Sequence, residues 1–175
     1  MSTRPFCRPL VLAALLFATT PAFADCTPPS PNKWTEWFDT QEENGGHTLA
    51  CHVNVTVNGL IGRIENRGGH QGTACLPGAA ASSWSGMKAL IDTIGTEFRE
   101  QGAFFQTSAP GDYLLHGNAG KTIGTTVYAY QGKPGKNRQA CPGRPDYICE
   151  KADEWTAVVR ITAPGTCFLL TAYPH

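Results

Sequence analysis

The sequence is poor in charge, and the charge it has is evenly split. Only 16% of its 175 residues are Asp, Glu, Lys or Arg, and fourteen positive residues face fourteen negative ones. Soluble chains usually carry ~25%. The balance removes the simplest argument for a nucleic-acid binder, which is a basic chain with a high isoelectric point. Disorder needs few apolar groups and high charge, whereas 41% of this chain is hydrophobic. With 19 Gly and 13 Pro it is not a long coiled coil. No apolar run reaches the ~20 residues of a membrane-spanning helix, so no membrane partner is expected. Metal-ligand spacings of the C-x2-C or H-x3-H kind are missing too, and no metal or other cofactor is expected. The length suits one domain.

What is present begins with an export signal. Arg4 and Arg8 precede a short apolar core, Leu10 to Ala18, and Ala22-Phe23-Ala24 offers small residues at the two positions a signal peptidase reads. Residues 1–24 are therefore expected to be cleaved after Ala24, and the protein to be periplasmic or secreted. Cleavage removes two Arg and no acid, leaving twelve positive against fourteen negative residues, a formal charge of −2. It also removes Cys7. The remaining six, Cys26, Cys51, Cys75, Cys141, Cys149 and Cys167, form an even set in an exported chain and read as up to three disulfides. Six cysteines allow 15 pairings. Cys141 with Cys149 would close a short loop over the turn-rich Pro142-Gly143-Arg144-Pro145-Asp146.

Along the mature chain, residues 25–44 read as an N-terminal extension carrying an aromatic cluster, Trp34, Trp37 and Phe38, of the kind that fills a core or docks on one. His47 to Cys51 reads as a helical turn. Asn54 to Gly59 is a poor helix interior, with Asn58-Gly59 a strong turn signal, and a short helix over Leu60 to Glu65 follows. Gly68 to Gly78 reads as loop. The clearest element is a helix from Ser82 or Ser83 to Gln101, with Trp84, Met87, Leu90, Ile91, Ile94 and Phe98 on one stripe, a serine N-cap and Gly102 as the stop. Then β-branched and aromatic residues take over, in Thr122–Tyr130, Trp155–Thr162 and Cys167–Tyr173. Ala163-Pro164-Gly165 should join the last two as an antiparallel hairpin. The segment between Gln131 and Tyr147 reads as loop. Helices first and strands after is the α+β order.

Five histidines survive cleavage. His70, His116 and His175 read as ordinary surface or structural residues. His47 and His52 lie five residues apart, ~140° around an ideal helix, so only one of them should face any given site. Arg63 follows His52 by eleven residues. A straight helix would hold the two ~16 Å apart, so a shared site needs a bend within Asn54–Gly59. Thr171 and Tyr173 are two apart on a strand and project from one face.

Taken in order, Gly45-Gly46-His47-Thr48-Leu49-Ala50-Cys51-His52-Val53, Arg63, Ala81-Ser82-Ser83-Trp84 with Ala89 beyond, and Leu169-Leu170-Thr171-Ala172-Tyr173-Pro174 resemble the bacterial RNase A-like toxin domain. That domain sits at the C-terminal tips of contact-dependent growth-inhibition proteins. The resemblance spans residues 45–175. It implies a kidney-shaped α+β domain, with N-terminal helices packed on an antiparallel sheet. It implies RNA as substrate and leaves room for a cognate immunity or inhibitor protein. The family's histidine, arginine, threonine and tyrosine fall on His52, Arg63, Thr171 and Tyr173, with His47 a second histidine of the motif. A monomer is expected.

The chemistry suits these groups. Metal-independent RNA cleavage needs a base for the ribose 2′-OH and an acid for the departing 5′-oxygen, leaving a 2′,3′-cyclic phosphate. Histidine serves either role because its unperturbed pKa is ~6.5. Arg63 can grip phosphate oxygens bidentately. Tyr173 can give a proton, reluctantly at a pKa of ~10. Lys121, Lys133, Lys136 and Arg138, with Arg144 beyond, form the one basic cluster and would be the substrate rail if the fold brings them beside His52. The alternative from another class is a disulfide-stapled exported binding protein that keeps the scaffold without catalysis.

Overall fold

A computed structural model describes residues 26–66, 75–130 and 138–175. The expected export segment, His70, Lys133 and Lys136 lie outside these residues. Five helices and seven strands follow one another: α1 (Trp34–Glu43), α2 (Thr48–His52), α3 (Val57–Ile64), β1 (Ala80–Trp84), α4 (Met87–Glu100), α5 (Gly102–Thr107), β2 (Gly111–Asn118), β3 (Gly124–Ala129), β4 (Gln139–Cys141), β5 (Arg144–Ala152), β6 (Glu154–Ala163) and β7 (Thr166–Pro174). The strands form two sheets, β1-β3-β5-β4 and β2-β6-β7, in which every neighbouring pair is antiparallel. This is the α+β class expected from the sequence. No described helix is long and apolar enough to cross a membrane.

The main core lies between the helices and the three-stranded sheet. Trp34 and Phe38 of α1 and Leu90, Ile94 and Phe98 of α4 are buried with Phe105, Trp155, Ala157, Val159 and Leu169. The aromatic cluster is thus core, and α1 is part of the same packed body as the residues after Gly45. Gly95 makes this approach feasible, since a Cβ there would meet the Trp34 ring at 2.9 Å. A second core joins α3 to the four-stranded sheet through Leu60, Ile61, Ala81, Val127 and Tyr147.

Two expectations are overturned. The long helix starts at Met87, and Ala80–Trp84 is a strand paired with β3. Ser83 therefore caps no helix. Its hydroxyl accepts from the Val55 amide at 3.0 Å, while the Trp84 indole N–H donates to the Ala172 carbonyl at 2.9 Å. These long-range bonds outweigh the helical periodicity. The chain turns into α4 at Gly86, whose φ of +153° suits glycine. Of the segment expected as loop between Gln131 and Tyr147, residues 131–137 lie outside the described residues, and the remainder is more than loop, because β4 and the start of β5 form a hairpin around Pro142-Gly143, with Gly143 at φ +70°. The α3 helix begins at Val57, earlier than expected, because the Thr56 hydroxyl caps it by accepting from the Gly59 amide. The β6–β7 hairpin forms as expected.

The six cysteines pair as Cys26–Cys167, Cys51–Cys75 and Cys141–Cys149, with Cα–Cα distances of 5.1, 5.6 and 4.9 Å. All lie within the range a disulfide spans.

Candidate active-site cleft

The short α2 helix is held at both ends. At its start the two carboxylate oxygens of Glu42, from α1, accept from the Leu49 and Ala50 amides at 2.9 and 3.2 Å. These amides are among the N–H groups a helix start leaves unpaired. The His47 amide donates to the Leu170 carbonyl at 2.9 Å. Leu170 is the extra residue of a bulge in β7, where Leu169 faces Val159 and Thr171 already faces Val158.

His52 ends α2 and is buried. Its Nδ1 lies 3.0 Å from the Ser82 carbonyl oxygen. A carbonyl only accepts, so Nδ1 carries the hydrogen and Nε2 keeps a free lone pair. The chain then turns at Asn54, which sits in the left-handed region at φ +56° and is a residue type that tolerates it. That bend, in the segment where the sequence allowed one, returns Arg63 to His52's side. The Arg63 guanidinium donates from Nη1 to the Cys51 carbonyl at 2.7 Å and from Nη2 to the Leu76 carbonyl at 3.5 Å. It thus bridges the backbone on the two sides of the Cys51–Cys75 disulfide.

His47, His52, Arg63, Thr171 and Tyr173 all line one cleft of about 290 Å3, completed by Ala80, Ala81, Ser82, Thr126 and His175. The His52 ring centroid is 5.4 Å from that of Tyr173 and 6.3 Å from that of His47. The expectation that only one of the two histidines would face the site is therefore corrected. His47 precedes the first helical residue, with φ −148° and ψ 25°, and the ideal helical angle does not apply to it. His175 and Thr126 were not singled out from the sequence. His175 continues the alternation of Thr171 and Tyr173, a signal that was available. Thr126 carries no local signal, and it arrives by pairing with Ser82 across β1 and β3.

The described members of the basic cluster, Lys121, Arg138 and Arg144, are not among the residues lining this cleft. Lys121 lines a different cleft, with Asp92, Glu97 and His116. Arg138 is 3.8 Å from Glu150, and Arg144 pairs with Glu65 at 2.8 Å while its guanidinium sits 4.9 Å from the Tyr147 ring centre.

Among the described residues lining the His52 cleft there is no Asp or Glu, and the electrostatics follow. Burial, reinforced by Arg63, holds the His52 pKa down to about 3, against the opposing effect of the hydrogen bond it donates to the Ser82 carbonyl. His47 is also lowered, by burial first and Arg63 last, with Glu42 pulling the other way. Both rings are neutral near pH 7. Burial also lowers Arg63, which as a guanidinium stays cationic.

Three buried polar atoms of the lining residues have no partner: Arg63 Nε, Thr126 Oγ1 and Thr171 Oγ1. An unsatisfied buried group costs about 1–3 kcal/mol. The cleft thus offers one unpaired N–H and two hydroxyls beside the His52 lone pair.

No family model matches this chain, and no curated protein matches it. Among solved structures, one titled as the crystal structure of a CdiA-CT/CdiI complex from Y. kristensenii 33638 aligns with 71% of this chain and 94% of its own, at a TM-score of 0.47 and 15% identity.

Proposed function

We propose that this protein is an exported ribonuclease that cleaves RNA by transesterification to a 2′,3′-cyclic phosphate, and that it acts as a toxin. One observation supports this above the others. A neutral His52, with Nδ1–H anchored and Nε2 free, shares a cleft with Arg63, Thr171 and Tyr173, and no Asp or Glu is among its described lining residues. A phosphodiester beside a ribose 2′-OH needs hydrogen-bond donors for its oxygens and a lone pair for its hydroxyl, and the cleft offers both.

In the step so read, His52 Nε2 takes the 2′-OH proton and the 2′-oxygen forms its bond to phosphorus. The P–O5′ bond breaks, and the departing oxygen takes a proton from Tyr173 Oη. Arg63 and Thr171 donate to the non-bridging oxygens as charge develops on them. Burial is the larger cause of the low His52 pKa, and Arg63 adds to it. An arriving phosphate anion offsets Arg63, one cause of that low value, and so makes the imidazole a stronger base. The export signal and the resemblance to growth-inhibition toxin domains support the toxin role, and with it a cognate immunity protein that covers the cleft.

The test is incubation of oxidised mature protein with RNA without added metal, beside His52→Ala and Tyr173→Phe. Cyclic-phosphate ends are expected from the wild type. Loss of a general acid or base should cost 10²–10⁴-fold, the larger loss falling on His52→Ala. Intact RNA with pure, folded wild type would return the protein to the class of exported binding proteins.

A further inference from the structure

We infer that Thr126 completes an oxyanion cradle with Thr171 and Arg63, so that the cleft holds the phosphate between its two sheets. This deepens the ribonuclease reading and rests on it for the identity of the natural ligand, though the cradle is tested with phosphate alone.

The argument starts from position. Thr126 lies on β3 of the four-stranded sheet, and Thr171 on β7 of the three-stranded one. They belong to different hydrogen-bonded ladders, and nothing in strand pairing requires their side chains to share a wall. Yet both line the cleft, and each leaves its Oγ1 buried without a partner, as Arg63 leaves its Nε. Arg63 and Thr171 are each only 9% exposed. Buried polar groups in folded proteins are nearly always paired. Three unpartnered polar atoms on residues that line one cavity are therefore what a site built for a ligand presents.

The donor set defines that ligand. Arg63 Nε–H can only donate. The two hydroxyls donate to an acceptor and, having no acceptor in the protein, are free to do so. Among the described lining residues no Asp or Glu repels an anion or competes for these hydrogens. A tetrahedral oxyanion matches the three donors, and His52 Nε2 then faces a hydroxyl on or next to it. Sequence motifs pointed to Thr171 and Arg63, whereas Thr126 is assigned by geometry alone.

The cradle has a signature that a merely structural threonine lacks. Valine has nearly the shape of threonine, and Thr126→Val deletes an unsatisfied hydroxyl. The free protein should keep its melting temperature or gain a little, while anion binding weakens. A hydrogen bond to a charged group translates into about tenfold or more in affinity. Thr126→Ser, which keeps the hydroxyl, should bind like the wild type.

The experiment titrates oxidised mature protein with inorganic phosphate, and separately with a ribonucleoside 3′-monophosphate. Binding is read by calorimetry and by the 15N–1H signal of Arg63 Nε, beside melting curves of each variant. Support is a shift of the Arg63 Nε–H signal on phosphate addition, about tenfold weaker binding in Thr126→Val, unchanged or higher melting temperature, and retention in Thr126→Ser. Wild-type affinity in Thr126→Val overturns the inference, as does a loss of affinity that tracks a fall in melting temperature. The two readings fail separately. Uncut RNA with Thr126-dependent phosphate binding removes the ribonuclease and keeps the cradle. Cut RNA with Thr126-independent phosphate binding does the reverse.

Discussion

Two clefts of nearly equal size differ in almost everything else. The one that holds His52 measures about 290 Å3, and the one that holds His116 about 310 Å3. In the second, Lys121 and His116 are set against Asp92 and Glu97, and Asp92 is already drawn into a bond with Lys88 at 2.7 Å. Its charges cancel locally, and Asn118 spends its side chain on the Gly120 amide. In the first, no Asp or Glu is among the described lining residues, though His175 lies 3.7 Å from Glu154, and three polar atoms of the lining residues stay unpaired. Size and the presence of a histidine therefore say little about function. Uncompensated charge and unmet hydrogen bonds say much more.

That contrast also resolves the charge problem posed by the sequence. A chain with no net positive charge is a poor general binder of RNA, and two described members of the expected rail are engaged with acids, Arg144 with Glu65 and Arg138 with Glu150. Among the described residues lining the His52 cleft, Arg63 is the one arginine or lysine. Focused in a small cleft, a single charge orients one phosphate without binding a long polyanion.

The contrast can be broken most directly at its cations. Arg63→Lys keeps the charge but loses the planar fork and its two carbonyl anchors, and cleavage of RNA should fall about 10²–10³-fold, the loss typical of one removed oxyanion donor. Lys121→Ala, in the other cleft, should leave the rate within about twofold. Equal losses in initial-rate assays would sink the distinction.

Next in size is the disulfide pair. Cys51→Ser/Cys75→Ser opens a loop with a sequence separation of 24, and loop-closure entropy alone predicts a loss of about 3.5 kcal/mol. Cys141→Ser/Cys149→Ser, with a separation of 8, should cost about 2.6 kcal/mol on the same basis. Because Arg63 bridges the carbonyls of Cys51 and Leu76, only the first pair should also depress the rate of protein that is still folded. Urea denaturation beside activity at low temperature separates the two effects.

The smallest effect is on acid stability. His52 has a folded-state pKa of about 3 against an unfolded value of ~6.5. The unfolded chain thus binds more protons between these values, and stability falls as pH drops through that window. Between pH 7 and 5 the loss from this group is about 2 kcal/mol. His52→Asn, whose amide can still donate to Ser82, should flatten the curve in urea melts at the two pH values. An unchanged slope would mean that His52 is not held neutral.

Which of this was legible beforehand follows a physical divide. The final hairpin was readable because its determinants are local: β-branched runs and a Pro-Gly turn. His52, Arg63, Thr171 and Tyr173 were readable as a set because they recur in a known order, and the bend that unites them was signalled by Asn54 to Gly59. The start of α4 was not readable, because Trp84 fits a helical stripe as well as it fits β1, and only Ala172 and Gly124 on other strands decide between them. β2 was missed because Gly111, Asp112, His116 and Asn118 are weak strand formers, and pairing with β6 supplies what propensity lacks.

The same divide separates what the chain carries in itself from what folding adds. Low, balanced charge, six cysteines beyond residue 24, and the order of the motif residues are properties of the linear chain, since each depends on composition or on neighbours a few residues apart. Which cysteines pair, that both His47 and His52 reach the cleft, and that Thr126 meets Thr171 across two sheets were decided in three dimensions. Those facts depend on contacts between residues far apart in sequence, and burial then turned an ordinary histidine into one held neutral.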